Sequence, residues 1–329
     1  MRCVTPMPSE DIHIFVSHRI DLDSTLVPNP LYYPIRCGAV FDHIPTKTIP
    51  GDNTGDNISE KRMSFCEFTV QYWAWKNVDA DYYGLCHYRR YLDFSGGRYR
   101  LDEHGLLPWP ELTVSSMRRF GLLDESLMRT TIQSHDLIVP IAAPVAKMPL
   151  PHGHAHTVRE LWDAHDGIFF RKEIIDRMFQ LIDTLAPEYS SSARSYFSGT
   201  YHRGYNCYVM RKVLFDRLCQ FQFPILAALE QEGWGQDEFS RAPAYVGEML
   251  FGIFCWHVMY QEDANALELP LVLFAETEPA NNFAVHLRRY LLFWLDQIGR
   301  KAAAPFFPLG SRRRELGKQI YRQITFRAR

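Results

Sequence analysis

Compact apolar runs recur along the chain and predict the strands of a buried sheet. Each run is short, rich in β-branched or aromatic residues, and bounded by turn formers or polar residues. Four runs of this kind predict buried strands: Ile12–Val16, Tyr82–Cys86, Asp136–Pro140 and Tyr205–Met210. Two further runs, Tyr32–Ile35 and Pro270–Phe274, predict additional short strands.

Between these runs, apolar residues recur at every third or fourth position, which predicts amphipathic helices. The predicted helices extend from near Ile58 to Asn77, over 157–186 in two pieces, from Lys212 to Cys219 and from Ala244 to Tyr260. Asn57 and Glu60 have the spacing of a capping box for the first helix. Residues 93–130 are mixed, and Pro108-Trp109-Pro110 is typical of a loop. Strands separated by helices predict an α/β fold whose mostly parallel sheet is flanked by helices.

The composition is typical of a globular protein and indicates its expected cellular compartment. With 329 residues, 47% hydrophobic and 22% charged, the chain is long enough for one large α/β domain or two smaller ones. Its seven cysteines form no Cys-x-x-Cys pair, and its N-terminus has no apolar signal-peptide core. No stretch approaches the ~18 apolar residues of a membrane span. We therefore expect a cytoplasmic protein with reduced thiols.

Positive charge is concentrated at the C-terminal end. The whole chain has 36 Lys and Arg against 38 Asp and Glu, which gives no broad electrostatic footprint for nucleic acid. From Arg312 to Arg329, however, seven basic residues accompany one acid. Just before this tail, 285–295 forms an apolar helix face beside Arg288 and Arg289. Such an end suits an anionic membrane surface, and an ordinary docking helix with a solvated tail is the alternative.

Polar side chains gather where the predicted strands end, which is where open α/β sheets bind their ligands. The sequence predicts four such tips: Ser17-His18-Arg19, His87–Arg90, the loop after Pro140 and the segment around Asn206. Arginine forks suit phosphate oxygens, and tyrosines stack on bases or sugars. Arg89, Arg90 and Tyr88 therefore favour a phosphate-bearing ligand. Solvated arginines at a surface strand end are the alternative.

Two acidic stretches are weaker candidates. Gly51–Ser59 offers backbone N–H groups at a helix start, which can bind phosphate. Asp52 and Asp56 would repel a bare phosphate and would instead suit sugar hydroxyls or a metal, and a well-capped helix start is the alternative. Asp79-Ala80-Asp81 precedes its strand, so we expect both carboxylates at the end of the sheet away from the ligand.

Histidines cluster before and within the region predicted to be helical over 157–186. His152, His154 and His156 alternate, which on a strand would favour a metal. Flanking prolines and a glycine instead favour a flexible loop. His165 and Asp166 are separate candidates for contacts to sugar hydroxyls.

Glu248 is a lone carboxylate on an otherwise apolar predicted helix. A buried charge is unfavourable unless it is paired or used. Glu248 is therefore either a salt-bridge partner, for example of Arg241, or a functional base with a raised pKa.

Three segments of the chain together resemble one bacterial family: GDNTGDNISEK at 51–61, YWAWKNVDADYYGLCHYRRYL at 72–92 and the strand with Asn206. This is the glycosyltransferase-like domain of unknown function found in capsular and exopolysaccharide synthesis loci. The likeness is closest over 51–92 and returns over 196–256. The sequence departs from the family pattern at Cys207-Tyr208, at Met249 and over 93–160.

The resemblance implies a GT-A-like fold with a single nucleotide-diphospho-sugar-binding α/β domain over 1–280. A C-terminal amphipathic helix and basic tail follow over 281–329. Where other GT-A enzymes carry Asp-x-Asp, this chain has His87-Tyr88-Arg89-Arg90. We expect fixed positive charge there to stabilise the leaving pyrophosphate, as a divalent ion does elsewhere. No metal site and no required cofactor are therefore predicted, and Mn²⁺ or Mg²⁺ is the alternative.

The resemblance also implies roles for individual residues. Asn206 resembles the Asn that contacts the donor sugar, and Glu248 falls where an inverting enzyme carries the base that activates the acceptor. His87 is expected to be the second catalytic residue. Together with the residues of the strand tips and of the 51–59 stretch, we expect the donor site to comprise His18, Arg19, Asp52, Asp56, Asn57, Tyr88, Arg89, Arg90 and Asn206. The expected acceptor site comprises His165 and Asp166.

The expected function is transfer of a hexose from a nucleotide diphosphate donor, UDP-linked by preference, to a surface polysaccharide or lipid-linked oligosaccharide. This belongs to capsule, exopolysaccharide or lipopolysaccharide biosynthesis, and galactose or galactofuranose is the family-level expectation for the sugar. The alternative is a non-catalytic carbohydrate-binding or assembly module with the same fold. Nucleic acid is not expected as a partner, because the basic residues form local clusters on an otherwise acidic chain. The basic tail predicts peripheral contact with the inner face of the membrane.

Overall fold

The computed structural model of the chain describes residues 10–43, 49–150, 153–303 and 313. The strands within them are β1 (Ile12–Arg19), β2 (Tyr32–Cys37), β3 (Tyr82–His87), β4 (Arg90–Leu92), β5 (Leu106–Glu111), β6 (Leu137–Pro140), β7 (Ala143–Pro144), β8 (Tyr201–His202), β9 (Tyr208–Arg211), β10 (Ala266–Leu269) and β11 (Leu271–Glu276). The helices are α1 (Arg62–Phe65), α2 (Phe68–Asn77), α3 (Val114–Arg119), α4 (Glu125–Gln133), α5 (Val158–Asp163), α6 (Glu173–Leu185), α7 (Ser190–Ser198), α8 (Lys212–Gln231), α9 (Ala242–Tyr260) and α10 (Phe283–Ala303).

The central sheet is mostly parallel, as the sequence predicts. Its long arm has the order β2-β1-β3-β9-β6-β10. β9 is antiparallel to both of its neighbours, β3 and β6, so the other strands of this arm share one direction. Their carboxyl ends consequently meet at one edge of the sheet, together with the amino end of β9.

A shorter arm branches from β3. Tyr88 and Arg89 form a two-residue turn into β4, which pairs antiparallel with β11, and β11 pairs parallel with β5. The prediction of a loop at Pro108-Trp109-Pro110 is wrong, because these residues lie in β5. β5 is the last strand of this arm, and an edge strand tolerates proline because one side needs no N–H donor.

Side chains of the central strands alternate between two apolar layers. Tyr83 and Leu85 of β3 enter the core on one face of the sheet, and Tyr82 and Cys86 enter the core on the other. Helices α2 and α5 to α9 cover the first face, and α3 and α4 cover the second. The predicted α/β architecture, a sheet flanked by helices, is confirmed.

The first predicted helix is interrupted. A single 3₁₀ turn, Ser59–Lys61, leads into α1, and a left-handed backbone at Cys66, φ 49°, separates α1 from α2. The predicted capping box is wrong, because no side chain caps this turn. Asn57 Oδ1 instead accepts a local hydrogen bond from the backbone N–H of Ser59 at 3.2 Å.

Two other predicted boundaries shift. Helix α8 continues beyond Cys219 through Pro224 to Gln231. Strand β9 begins at Tyr208, because Tyr205 and Asn206 have left-handed backbone conformations, with φ of 77° and 39°, that a strand cannot include. The segment around Asn206 is therefore a turn that leads into β9.

Helix α10 is the amphipathic C-terminal helix that the sequence predicts, and it docks against β5. Glu111 of β5 is buried and pairs with His286 and with Arg289, the latter at 3.2 Å. Trp109 and Trp294 meet edge to face at 6.1 Å. Except for Arg313, the basic tail lies outside the described residues. Among the described helices, none combines the length and the apolar character needed to cross a membrane.

Candidate functional site

The predicted strand tips meet at one edge of the sheet. β1 and β3 are parallel neighbours with Ser17 opposite His87, so His18 and Arg19 end beside the Tyr88-Arg89 turn. β9 is antiparallel to β3, with Tyr208 opposite Leu85, so the turn before β9 reaches the same edge. Two parallel strand ends and one antiparallel strand start therefore assemble the candidate site.

A strained turn forms the floor of this site. The backbone N–H of Tyr205 donates to Glu248 Oε1 at 2.9 Å. A Cβ at Gly204 would overlap with the same carboxylate oxygen, which explains why glycine stands there. Left-handed backbone at non-glycine residues costs about 1–3 kcal/mol each and persists only where surrounding contacts hold it. Glu248, on α9, is one of these contacts.

Glu67 holds the same turn from a different helix. It lies at the N-cap position of α2, and its Oε1 accepts a hydrogen bond from Asn206 Nδ2 at 3.1 Å. Glu67 is not among the site residues predicted from the sequence. The signal was a lone acid within the apolar run Phe65–Val70, the same kind of signal that drew attention to Glu248.

Positive charge lies beside this turn. The guanidinium of Arg90 stacks on the ring of Tyr205 at 4.9 Å. Burial, and then the charges of Arg90 and Arg89, hold the pKa of His87 well below its ordinary value, so its imidazole is neutral at physiological pH. The edge therefore combines guanidinium donors with a neutral imidazole.

Several buried polar atoms at this edge have no hydrogen-bond partner among the described residues. They are His87 Nδ1, Arg89 Nε, Arg90 Nε and Asn206 Oδ1. Buried polar atoms in native proteins are nearly always satisfied, so a group of unsatisfied ones calls for an explanation. Donors on the arginines and an acceptor on Asn206 together fit a ligand with both anionic and hydroxyl groups.

The remaining residues of the two strand tips are packed more tightly. Tyr88 is buried, with its ring 4.2 Å from that of His87 and 6.3 Å from that of His18. Arg19 is exposed and pairs with Asp21, with Nε to Oδ1 at 2.9 Å. His18 and Tyr88 are thus buried at this edge of the sheet, while Arg19 is exposed and is held by Asp21.

Asp52 lies beside the loop that follows β2, the parallel neighbour of β1. Asp52 is 0% exposed, and its carboxylate accepts hydrogen bonds from the backbone of Gly38 and Ala39 and from the hydroxyls of Ser59 and Thr69. These donors occupy both oxygens. Asp52 therefore holds the loop after β2, and its role in donor binding stays a prediction.

Asp56 and Asn57 lie at the other end of α2. Asn77, the last residue of α2, accepts from the backbone N–H of Asp56 at 3.0 Å and donates to its carbonyl at 2.7 Å. A ten-residue helix is about 15 Å long, and Glu67 marks the end that faces the site. This distance separates Asp56 from the Glu67 end of α2, and the donor contacts of Asp56 and Asn57 stay a prediction.

His165 and Asp166 follow α5, and an aromatic stack links His165 to α9. The ring of His165 stacks on Phe169 at 4.7 Å, and Phe169 stacks on Tyr245 at 4.6 Å, one turn of α9 before Glu248. Burial lowers the pKa of His165, and its Nδ1 is bonded to the carbonyl of Leu161. Asp166 is exposed and accepts from the backbone N–H of Lys172 at 3.0 Å.

Glu248 is not the salt-bridge partner of Arg241. Arg241 donates from Nε to Cys66 Sγ at 3.3 Å, whereas Glu248 bonds to the Tyr205 backbone. Burial raises the pKa of Glu248, and the nearby charge of Glu67 raises it further, against lowering by the Tyr205 N–H, Arg90 and Arg241. The predicted salt bridge to Arg241 is therefore wrong, and the role of Glu248 as a functional base stays a prediction.

Within the described ranges, no three His, Cys, Asp or Glu side chains converge as metal ligands. His152 lies outside the described residues. Asp79 pairs with Lys212, and Asp81 accepts from the backbone N–H of Asp11 at 2.7 Å. Both aspartates lie before β3, at the end of the sheet away from the site, as the sequence predicts.

The fold is that of a glycosyltransferase. The chain superposes on a solved structure described as the apo form of WbbM, a bifunctional glycosyltransferase, with a TM-score of 0.72 and 25% sequence identity. The match covers 83% of this chain and 47% of that one, so this chain spans about half the length of WbbM.

Residues 14–259 match the family described as a domain of unknown function, DUF4422. The chain belongs to this family, which confirms the glycosyltransferase-like domain of unknown function named by the resemblance. Among curated proteins, none matches the chain significantly.

Proposed function

We propose that this chain transfers a sugar from a nucleoside diphosphate donor to a polysaccharide or lipid-linked acceptor of the cell surface. One observation carries the proposal: unsatisfied buried nitrogen atoms of His87, Arg89 and Arg90 lie at the same sheet edge as the Asn206 turn. The glycosyltransferase fold of the structural neighbour supports it.

The diphosphate binds on the arginine side of the site. Guanidinium groups form charge-assisted hydrogen bonds to phosphate oxygens, and they remain charged at all physiological pH values. Arg89 and Arg90 thereby balance the charge of the leaving diphosphate without a divalent ion. A UDP-linked donor is the form that we propose, with Mn²⁺ or Mg²⁺ as the alternative source of that charge.

The sugar and the acceptor meet at the carboxylate side. Glu248 takes the proton of the acceptor hydroxyl, whose oxygen bonds to the anomeric carbon as the bond from that carbon to the diphosphate breaks. The diphosphate departs with the electron pair, and neutral His87 contributes a hydrogen bond to it. A raised pKa brings Glu248 nearer to the operating pH, which suits a general base. His165 and Asp166 border the acceptor.

Calorimetric titration with UDP, GDP, CMP and dTDP, each in EDTA and in Mn²⁺, tests the donor site. We expect one diphosphate to bind in EDTA and to lose at least tenfold in affinity in Arg89→Ala. Arg177→Ala, which removes an exposed α6 arginine paired with Glu232, is the matched control. Binding only with Mn²⁺ would overturn the metal-free site, and no binding of any diphosphate would overturn the donor site itself.

Turnover of the sugar donor distinguishes a transferase from the non-catalytic alternative. A transferase hydrolyses its donor slowly in the absence of acceptor, whereas a binding module does not. We expect slow release of diphosphate from the donor conjugate selected by the titration, and its loss in Glu248→Gln. Binding without any release would favour a carbohydrate-binding module.

We also propose that α10 contacts an anionic membrane surface, where lipid-linked acceptors reside. While His286 and Arg289 bind Glu111, the outer face of α10 exposes large apolar side chains: Phe283, Leu287, Leu291, Leu292, Leu295 and Ile298. Amphipathic helices with flanking basic residues bind anionic lipid in this manner. Sedimentation with phosphatidylglycerol vesicles should capture the protein, and the double change Leu291→Asp and Leu295→Asp should release it. Equal capture by neutral vesicles would contradict an electrostatic contribution to membrane binding.

A further inference from the structure

Within the described ranges, one side chain, Glu67, orients the side-chain amide of Asn206. Its Nδ2 donates to Glu67 Oε1 at 3.1 Å. An ionised carboxylate only accepts hydrogen bonds, so the NH₂ end of the amide has to face Glu67. The carbonyl oxygen, Oδ1, consequently faces away from Glu67, and it is buried without a partner in the part of the chain that the structure describes.

The backbone leaves Asn206 little other freedom. Asn206 is 3% exposed and has φ 39°, and the preceding Tyr205 is fixed by its bond to Glu248. With the backbone and the burial fixed, the main remaining choice is which end of the amide points into the site. Glu67 makes that choice from α2, an element separate from the turn itself.

We propose that Glu67 is a positioning residue that fixes the Asn206 amide so that its carbonyl oxygen accepts a hydrogen bond from a hydroxyl of the bound sugar. This rests on the proposed function, since it assigns the sugar to the Asn206 side of the donor site. The unsatisfied Oδ1 requires a donor group, which a sugar hydroxyl supplies and a phosphate oxygen does not.

The arrangement divides the site by polarity. On one side, Arg89 and Arg90 present only donors, which match the diphosphate. On the other, Asn206 Oδ1 and the carboxylates of Glu67 and Glu248 present acceptors. A ligand with its phosphates at one end and its hydroxyls at the other can bind in only one orientation. The orientation of the Asn206 amide therefore helps to determine how the donor is positioned.

Glu67→Gln tests the role, because a glutamine can present either end of its amide and no longer forces the orientation of Asn206. The probes are UDP, UDP-glucose and UDP-galactose, measured by calorimetry on the full chain. The readout is the ratio of the affinity for each UDP-sugar to the affinity for UDP alone. We expect the ratio for at least one sugar to fall about tenfold in Glu67→Gln while the affinity for UDP is unchanged. Asn206→Ala should lower the same ratio, and the double variant should lower it no further.

Glu67→Asp, which keeps an acceptor-only carboxylate, should recover part of the ratio, and Glu60→Gln, at an exposed site, should leave it as in the wild type. An unchanged ratio in Glu67→Gln overturns the inference but leaves the proposed function standing. Equal affinity of the wild type for UDP and both UDP-sugars also overturns the inference. If the wild type binds none of the three probes, both the inference and the UDP-linked form of the proposed function are contradicted. If Glu67→Gln does not fold, as judged by its circular dichroism, the comparison of Asn206→Ala with the wild type decides.

Discussion

Glu248 Oε1 accepts a hydrogen bond from the backbone N–H of Tyr205 at 2.9 Å, which joins the middle of helix α9 to the turn before β9. The same oxygen fills the space that a side chain at Gly204 would need. One carboxylate therefore maintains the backbone geometry of the site as well as its charge. A glutamate in an otherwise apolar helix has a structural reason to be there, in addition to any role in catalysis.

Two substitutions distinguish the structural role of Glu248 from its proposed role in catalysis. Glu248→Ala leaves the Tyr205 N–H unpaired and removes a support of the strained turn, so we expect the free energy of unfolding to fall by about 1–3 kcal/mol. Glu248→Gln keeps an oxygen that can accept from Tyr205 and should lose less than about 1 kcal/mol. Urea denaturation measures both values. Equal stability of the alanine variant and the wild type would contradict the structural role.

Asp52 provides a contrast with Asp56. Asp52→Asn replaces one acceptor oxygen with an NH₂ that faces donors from Gly38, Ala39, Ser59 and Thr69, so we expect a loss of about 2–4 kcal/mol in unfolding free energy. Asp56→Asn, at an exposed position, should remain within about 0.5 kcal/mol of the wild type. Thermal and urea unfolding provide the comparison. A stable Asp52→Asn variant with weakened UDP binding would support the role in binding the nucleotide donor that the sequence predicts for Asp52.

Glu111 provides a test of how α10 is attached. Its buried carboxylate binds His286 and Arg289, so Glu111→Ala removes the contacts that these two side chains make with β5. We expect faster amide hydrogen exchange across 283–299 in this variant, with little change in the central sheet. Glu103→Ala, at an exposed position before β5, should leave the exchange of α10 unaltered. Unchanged protection of α10 in Glu111→Ala would mean that apolar contacts such as Trp109 with Trp294 suffice.

The fold follows from the sequence where patterns are local. Compact apolar runs identify β1, β3 and β6, because a buried strand must be apolar throughout. The same rule failed for β5, whose prolines are compatible with a strand only at a sheet edge, and edge positions depend on contacts far apart in sequence. The break at Cys66 likewise has no local signal, because the apolar spacing continues across it.

The site was predictable in part. The sequence placed His87 to Arg90 and Asn206 near one sheet edge because strand ends converge, although it did not anticipate that β9 arrives antiparallel. Asp52 and Asp56 belong to the same family motif, GDNTGDNISEK. The structure nevertheless places Asp52 in a buried hydrogen-bond network and Asp56 at the far end of α2. Glu67 was missed because its partner, Asn206, is 139 residues away.

His202 predicts a measurable sensitivity to acid. Burial, and then the charges of Arg203 and His165, lower its pKa from 6.5 to about 3, and its Nδ1 is bonded to the hydroxyl of Tyr196 at 2.9 Å. As the pH falls below 6.5, the unfolded chain binds a proton at this position that the folded protein does not bind. This stabilises the unfolded state relative to the folded one, so the contribution of neutral His202 to stability, fully present above pH 6.5, is progressively lost toward pH 3.

Between pH 7.5 and pH 5, this single group should lower the free energy of unfolding by about 2 kcal/mol. His202→Gln removes the titrating imidazole, and we expect its urea-unfolding free energy to fall by about 2 kcal/mol less than that of the wild type over the same interval. His154→Gln, at an exposed histidine, should keep the pH dependence of the wild type. Parallel pH profiles for His202→Gln and the wild type would show that His202 is protonated in the folded protein, contrary to its buried position beside Arg203.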